Sequence, residues 1–196
     1  AITLVLGFVL TYYLVFDVIR LRIKILLFLL AVVPFWTSGV VRMIAWLPFL
    51  GKEGVINGSL MGLGITDEPL QFLLYSDFAV ILSYVHVLTL FMVAPLFNVM
   101  ARIDLRLVEA AKDQGAKGWQ VLLYIIIPLS RPGIAIGTIF IVALTASDFV
   151  AVRLLSGGMS GTLATSVYNQ YAQSRYPYSA ASGIILLLVL LLFVGG

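Results

Sequence analysis

An all-α chain that crosses a membrane several times is the fold class this sequence predicts, and three observations predict it. Mean hydropathy is +1.11. Only 11% of the 196 residues are charged and 62% are hydrophobic, whereas soluble domains carry about 25% charged residues. The charges that remain are clustered between long apolar runs, the pattern of a polytopic membrane protein.

Five apolar segments follow in order. The first, residues 1–16, "AITLVLGFVLTYYLVF", is slightly short of the ~20 residues a spanning helix needs. The second covers 25–47, with Pro34 expected to kink it. The third covers 78–100, the fourth 132–150, opened by Pro132, and the fifth runs from 179 to the end. The chain starts at once in an apolar run and stops inside one, "GIILLLVLLLFVGG". It therefore reads as a single transmembrane domain, residues 1–196, cut at both ends from a longer protein.

Charge orients the segments. Arg20, Arg22 and Lys24 lie in the first connection, and Arg102, Arg106, Lys112, Lys117 and Arg131 in the third. The second and fourth connections hold only Arg42, Lys52, Arg153 and Arg175. Positive charge marks the cytoplasmic side, so residues 17–24 and 101–131 are expected inside, and 48–77 and 151–178 outside. The outer connections read as short helices, "EGVINGSLMGLGI" and "TLATSVYNQYAQS", bounded by Gly, Pro and Asp.

Composition excludes several functions. There is no cysteine, so disulfides and thiolate metal sites are ruled out. His86 is the sole histidine, and no acidic or histidine cluster has metal-ligand spacing. A net charge of +3, spread along the chain, gives no argument for nucleic acid. No GxxxxGK[ST] loop is present, so ATP is not bound by that route.

The exception to the apolar pattern is "EAAKDQGAKGWQ", residues 109–120. Asp104 is placed to cap a helix through "LRLVEAAKDQ". Gly115 stands where a left-handed C-cap is wanted. A second helix is expected from about Lys117 to Pro128, after which "SRPG" should turn the chain and Pro132 should open the next span. Small Ala110 and Ala111 beside Glu109 make a surface that another protein can approach closely.

These residues resemble a pattern of the binding-protein-dependent ABC permeases: Glu-Ala-Ala, three residues, Gly, nine residues, Ile, one residue, Leu-Pro. Here it is Glu109, Ala110, Ala111, Gly115, Ile125, Ile127 and Pro128, with Ile127 in place of Leu. Beyond the motif, "LLFLLAVVPFWTSGVVRMIAW", "GKEGVINGSL", "ITDEPLQFLLYSDFAVIL" and "PLSRPGIAIGTIFIVALTASDFVAVRLLSGG" resemble the spermidine/putrescine-type branch over about residues 25–196. Gln114 stands where that branch typically has Leu, Tyr176 where Trp is common, and "LTASDF" replaces a Gly-containing acidic segment.

The resemblance implies a MetI-like ABC importer permease fold of six spanning helices, five of them visible here, in the bacterial inner membrane. It implies a cytoplasmic coupling loop at 101–131, with Glu109, Ala110, Ala111, Asp113, Gly115 and Pro128 engaging an ATPase. The implied partners are two ATPase subunits, a second permease subunit (a heterodimer being the usual arrangement) and an extracytoplasmic solute-binding protein. ATP and Mg would be held by the partner ATPase, and no cofactor by this chain. The solute would be a polyamine or a related amino compound.

Other residues have two readings each. Asp148, at the outer end of the fourth segment, either attracts a cationic solute or closes a helix end, paired with Arg153 or solvated. Ser83, His86 and Thr89 form a polar stripe that either lines the path or bonds packed helices, the commoner use. Arg42 and Trp46 lie four residues apart near the outer end of their segment, as path residues or as a snorkelling Arg with an interfacial Trp. Tyr168, Tyr171, Tyr176 and Tyr178 suit an interfacial belt better than a cation-stacking site. A secondary transporter or channel with its own ion coupling is the alternative function. It would need ionisable groups at mid-membrane, and the segments offer little besides His86. An intramembrane enzyme lacks a catalytic constellation.

Overall fold

The computed structural model describes residues 1–18 and 20–195, and among them every regular element is helical. In order these are α1 (Ile2–Tyr12), α2 (Leu21–Val32), α3 (Gly39–Ile44), α4 (Trp46–Leu50), α5 (Val55–Gly62), α6 (Asp77–Met100), α7 (Leu105–Asp113), α8 (Gly118–Val121), α9 (Ile127–Ser147), α10 (Val150–Leu155), α11 (Leu163–Ala172) and α12 (Tyr176–Gly195). Among the described residues three helical stretches are long and apolar enough to cross a bilayer: Asp77–Met100, Gly118–Ser147 and Tyr176–Gly195. Ile2–Asp17 is a shorter apolar helix, with a π-helical turn at Tyr13–Asp17.

The second expected span is not one helix. It begins early, at Leu21, passes into a 3-10 turn over Val33–Trp36, and resumes as α3 and α4. Proline removes a backbone donor at position 34, and Ser38, with ψ 136°, takes extended backbone before Gly39. Two breaks so close together cut an apolar run into short helices where a single kink was expected.

The opposite correction applies to "SRPG". No turn forms there, because α8 and α9 join through a π-helical stretch, Leu122–Ile126, into one helix of 30 residues. Pro128 and Pro132 both lie inside it. The π-helical turn just before Pro128 widens the spacing where the missing N–H would otherwise break the ladder. Proline is tolerated in spanning helices when local π or 3-10 adjustment re-satisfies the freed carbonyls.

The described residues fall into two compact units. One is Ala1–Pro34 with Leu88–Ile141, and the other is Phe35–Val87 with Val142–Gly196. The first is built on buried Met92, Leu96, Met100, Val121 and Ile126, with Leu4, Phe8 and Tyr12 of α1 packed against them. Two glycines permit close approach of helices. A Cβ on Gly7 would come within 2.7 Å of the Met92 side chain, and one on Gly133 within 3.1 Å of the Pro95 carbonyl. Small residues at such crossings are the usual means of packing helices in lipid, where no hydrophobic force draws them together.

The second unit has its core at Leu50, Leu73, Ala79, Val80, Val152 and Leu155. Its connection between α4 and α6 is tied by Asn57, which is fully buried. Asn57 Nδ2 donates to the carbonyls of Gly51 (3.0 Å) and Leu70 (3.3 Å), and the Leu70 N–H donates to its Oδ1 at 2.8 Å. The short helices expected in both outer connections are present as α5 and α11. The Ser179 hydroxyl donates to the Val167 carbonyl at 2.9 Å, fixing the start of α12 against α11. Only 6% of the apolar window of α12 is buried.

Candidate functional site

The charged corner between α7 and α8 forms as its residues dictate. The Asp104 carboxylate accepts from the Arg106 N–H at 3.0 Å, capping α7. At the other end Gly115 takes φ +84°. The Gly115 N–H donates to Lys112 O at 2.9 Å and the Ala116 N–H to Ala111 O at 3.0 Å. That pair of bonds is the Schellman closure, which needs a left-handed residue at its turn. The Lys117 N–H then donates to Gln120 Oε1 at 2.7 Å, starting α8.

The six residues expected to make the coupling contact divide by exposure. Glu109, Ala110, Asp113 and Gly115 are exposed, while Ala111 and Pro128 are half-buried. Ala111 packs on the core of the first unit together with Val108 and Ala116. One face of α7 is therefore anchored and the other presents Glu109 and Asp113 outward. A recess of about 340 Å³ opens beside the corner, lined among others by Gln114, Gly115, Gln120 and Tyr124. The corner is thus an exposed step that leads, through residues 114–117, into the 30-residue helix Gly118–Ser147.

The outer candidates lie in the second unit, with one exception. Asp148 does not turn to Arg153. Its Oδ1 accepts from the N–H groups of Val150 (2.7 Å) and Ala151 (3.2 Å), closing the start of α10. Arg153 instead lies over the Tyr168 ring at 4.7 Å, and Tyr168 stacks on Phe149 at 4.7 Å. Arg42 is not a simple snorkelling residue, since its Nε and Nη1 are buried and make no hydrogen bond among the described residues. The Trp46 ring meets His86 edge to face, with centroids 5.5 Å apart, and Arg42 is close enough for its charge to act on His86.

The residues of the stripe, Ser83, His86 and Thr89, all on α6, differ in exposure. Ser83 is fully buried and returns its hydroxyl to the Val80 carbonyl at 2.9 Å. His86 is exposed beside Trp46, and Thr89 belongs to the first unit. Among the tyrosines, Tyr171 and Tyr176 meet edge to face at 5.7 Å, and both, like Tyr178, are exposed.

Sequence reasoning missed Tyr84. Its hydroxyl is buried and makes no hydrogen bond among the described residues, and Asp148 is near enough for its charge to act on it. A tyrosine in the middle of an apolar span was the available signal, because a buried phenol usually needs a partner.

Apolar spans carrying an exposed, charged helix–glycine–helix corner define an integral helical membrane subunit of the permease class. The chain belongs to the family described as binding-protein-dependent transport system inner membrane component, whose model matches residues 3–195. It is 34% identical, over 172 residues, to the spermidine/putrescine transport system permease protein PotB of Haemophilus influenzae, covering 86% of this chain and 60% of that protein. To the protein of the same name from Escherichia coli it is 33% identical over 188 residues, covering 95% of this chain and 67% of that one. The chain therefore spans about two thirds or less of the length of these relatives. The fold matches a chain in the crystal structure of a bacterial alginate ABC transporter in complex with an alginate pentasaccharide-bound periplasmic protein. The TM-score is 0.79 at 22% identity, covering 98% of this chain and 68% of that one.

Proposed function

We propose that this chain is the multi-pass membrane subunit of a bacterial ABC importer. It forms half of the path for a small solute and draws its energy from a separate ATPase through residues 101–131. The observation that carries this reading is the Schellman corner at Gly115, exposed and standing just before the helix Gly118–Ser147 that continues as a span. The chain has no nucleotide loop of its own. Energy must then enter by contact, and a corner standing just before a span transmits a push as rigid-body motion. Glu109, Ala110, Ala111, Asp113, Gly115 and Pro128 form the contact and its support.

The partners in this reading are two ATPase subunits that hold ATP and Mg, a second and different permease subunit, and an extracytoplasmic solute-binding protein. The solute is a polyamine or a related amino compound, a class supported by the names of the relatives. Asp148 is the residue assigned to the cation, with Arg42, Trp46 and His86 as further members of the outer path. Ser83, fully buried with its hydroxyl on the Val80 carbonyl, is left to helix packing.

The test is ATP hydrolysis by the reconstituted complex, with and without loaded binding protein. Gly115→Val should remove the stimulation by loaded binding protein. Full stimulation and full uptake in that variant would reduce the corner to a loop.

A further inference from the structure

In the first compact unit α6 and α9 touch and then part. A Cβ on Gly133 would lie 3.1 Å from the Pro95 carbonyl and 3.2 Å from the Leu96 Cα, so the two helices meet there backbone to backbone. Next to this contact a cleft of about 590 Å³ opens between them and the start of α7. Its apolar walls are Val99, Ile103, Leu107, Leu129 and Pro132. Its polar members are Asn98, Arg102 and Asp104. The cleft stands where two apolar segments give way to the charged connection, since the third ends at 100 and the fourth begins at 132. Charge here is one-sided. Arg102 lines the cleft, and Arg106 and Arg131 adjoin its lining in the chain. All three are exposed, and none makes a hydrogen bond or ion pair through its side chain among the described residues. The one carboxylate of the lining, Asp104, already accepts the Arg106 N–H at 3.0 Å as the cap of α7.

We infer that this cleft is a binding site for an anionic phospholipid: the Arg102 guanidinium holds the headgroup phosphate, and the glycerol and first acyl carbons lie along Val99, Leu107 and Leu129. An apolar slot with cations at its mouth, at the level where spans meet water, is matched by an amphiphile with an anionic head. A soluble phosphate would satisfy the guanidinium and leave the apolar walls wet, whereas a phospholipid fills both parts. Guanidinium suits the role because its planar N–H groups meet two phosphate oxygens at once. Arg106 and Arg131 add a positive field that favours a headgroup of net negative charge over a zwitterionic one. Leu107 belongs to α7, so the lipid braces the corner helix against both spans.

The experiment uses the full-length protein in its complete complex, in phosphatidylcholine liposomes, with a trace of phosphatidylglycerol that carries a photoreactive acyl chain. After irradiation the labelled peptides are read by mass spectrometry. Label should concentrate on residues 98–107 and 129–132. Unlabelled phosphatidylglycerol should compete it away although phosphatidylcholine is in large excess, and inorganic phosphate should not. Arg102→Gln should lower labelling there about fivefold, the scale of one basic residue at a membrane surface. Arg175→Gln, between α11 and α12, should leave it unchanged. Leu129→Glu, at a position already exposed and so tolerant of a charge, should abolish it by setting a negative group against the headgroup. Equal labelling by a photoreactive phosphatidylcholine, an unchanged yield in Arg102→Gln or Leu129→Glu, or an equal fall in Arg175→Gln overturns the site. Displacement by inorganic phosphate would make it a site for soluble anions, and no label in the complete complex would mean that a partner subunit covers it. Either result overturns the lipid as occupant.

Discussion

At the scale of single residues the strongest expectation is at Gly115. Nothing lies within 4 Å of a Cβ built there, so the obstacle to substitution is conformational. With φ at +84° a β-branched residue is strained, and it must either hold the strain or straighten the corner. Gly115→Val is therefore expected to insert and assemble but to lose solute-stimulated ATP hydrolysis, while Gly115→Asn, which tolerates the left-handed region better, should keep a large part of it. Glu109→Lys should fail in the same assay, by reversing an exposed acid on the outward face of α7. Asp148→Asn should weaken uptake of a cationic solute by about 1 to 3 kcal/mol, the range for a charged hydrogen bond, with the complex still assembled. Gly115 was legible in the sequence because a helix end at a glycine is a local signal. The buried hydroxyl of Tyr84 was not, because its burial depends on helices distant in the chain.

At the scale of elements, caps and breaks decide the geometry. The Asp104 bond to the Arg106 N–H is the sole side-chain cap of α7 among the described contacts. Asp104→Ala should cost about 1 kcal/mol of local helix stability, seen as faster amide exchange over Leu105–Asp113 while the spans stay protected. The long helix Gly118–Ser147 gives a sharper test. Because the helix already runs through Pro132, Pro132→Ala restores a backbone donor without changing the path of the chain. The thermal midpoint of the purified protein should hold or rise. A fall of several degrees would show that the proline terminates a helix, as "SRPG" had suggested from sequence. Turn propensity misled here because the π-helical stretch before Pro128, which absorbs the defect, has no sequence signature of its own.

At the scale of the whole molecule, the distribution of Lys and Arg sets an orientation. Residues 17–24 and 101–131 should be cytoplasmic, and 48–77 and 151–178 external. The chain has no cysteine, so single-cysteine labelling tests this directly. A cysteine at Lys112 should resist an impermeant reagent applied to intact cells, and one at exposed Met159 should react. The reverse result would invert the topology and remove the corner from the cytoplasmic side.

The sequence by itself determined the helical membrane class, the place of the charged corner, its cap at Asp104 and its turn at Gly115. These are local properties, set by apolar run length, by short-range backbone bonding and by one residue's freedom at positive φ. Only the tertiary structure decided that the second apolar run breaks into short helices, that the fourth span begins as far back as Gly118, and which outer residues meet. Arg42, Trp46 and His86 come together, and Arg153 lies over Tyr168 where an Asp148 pair had been one reading. Such meetings join helices that are far apart in the chain. They follow from how side chains fill the space between those helices, and no periodicity along a single segment carries that information.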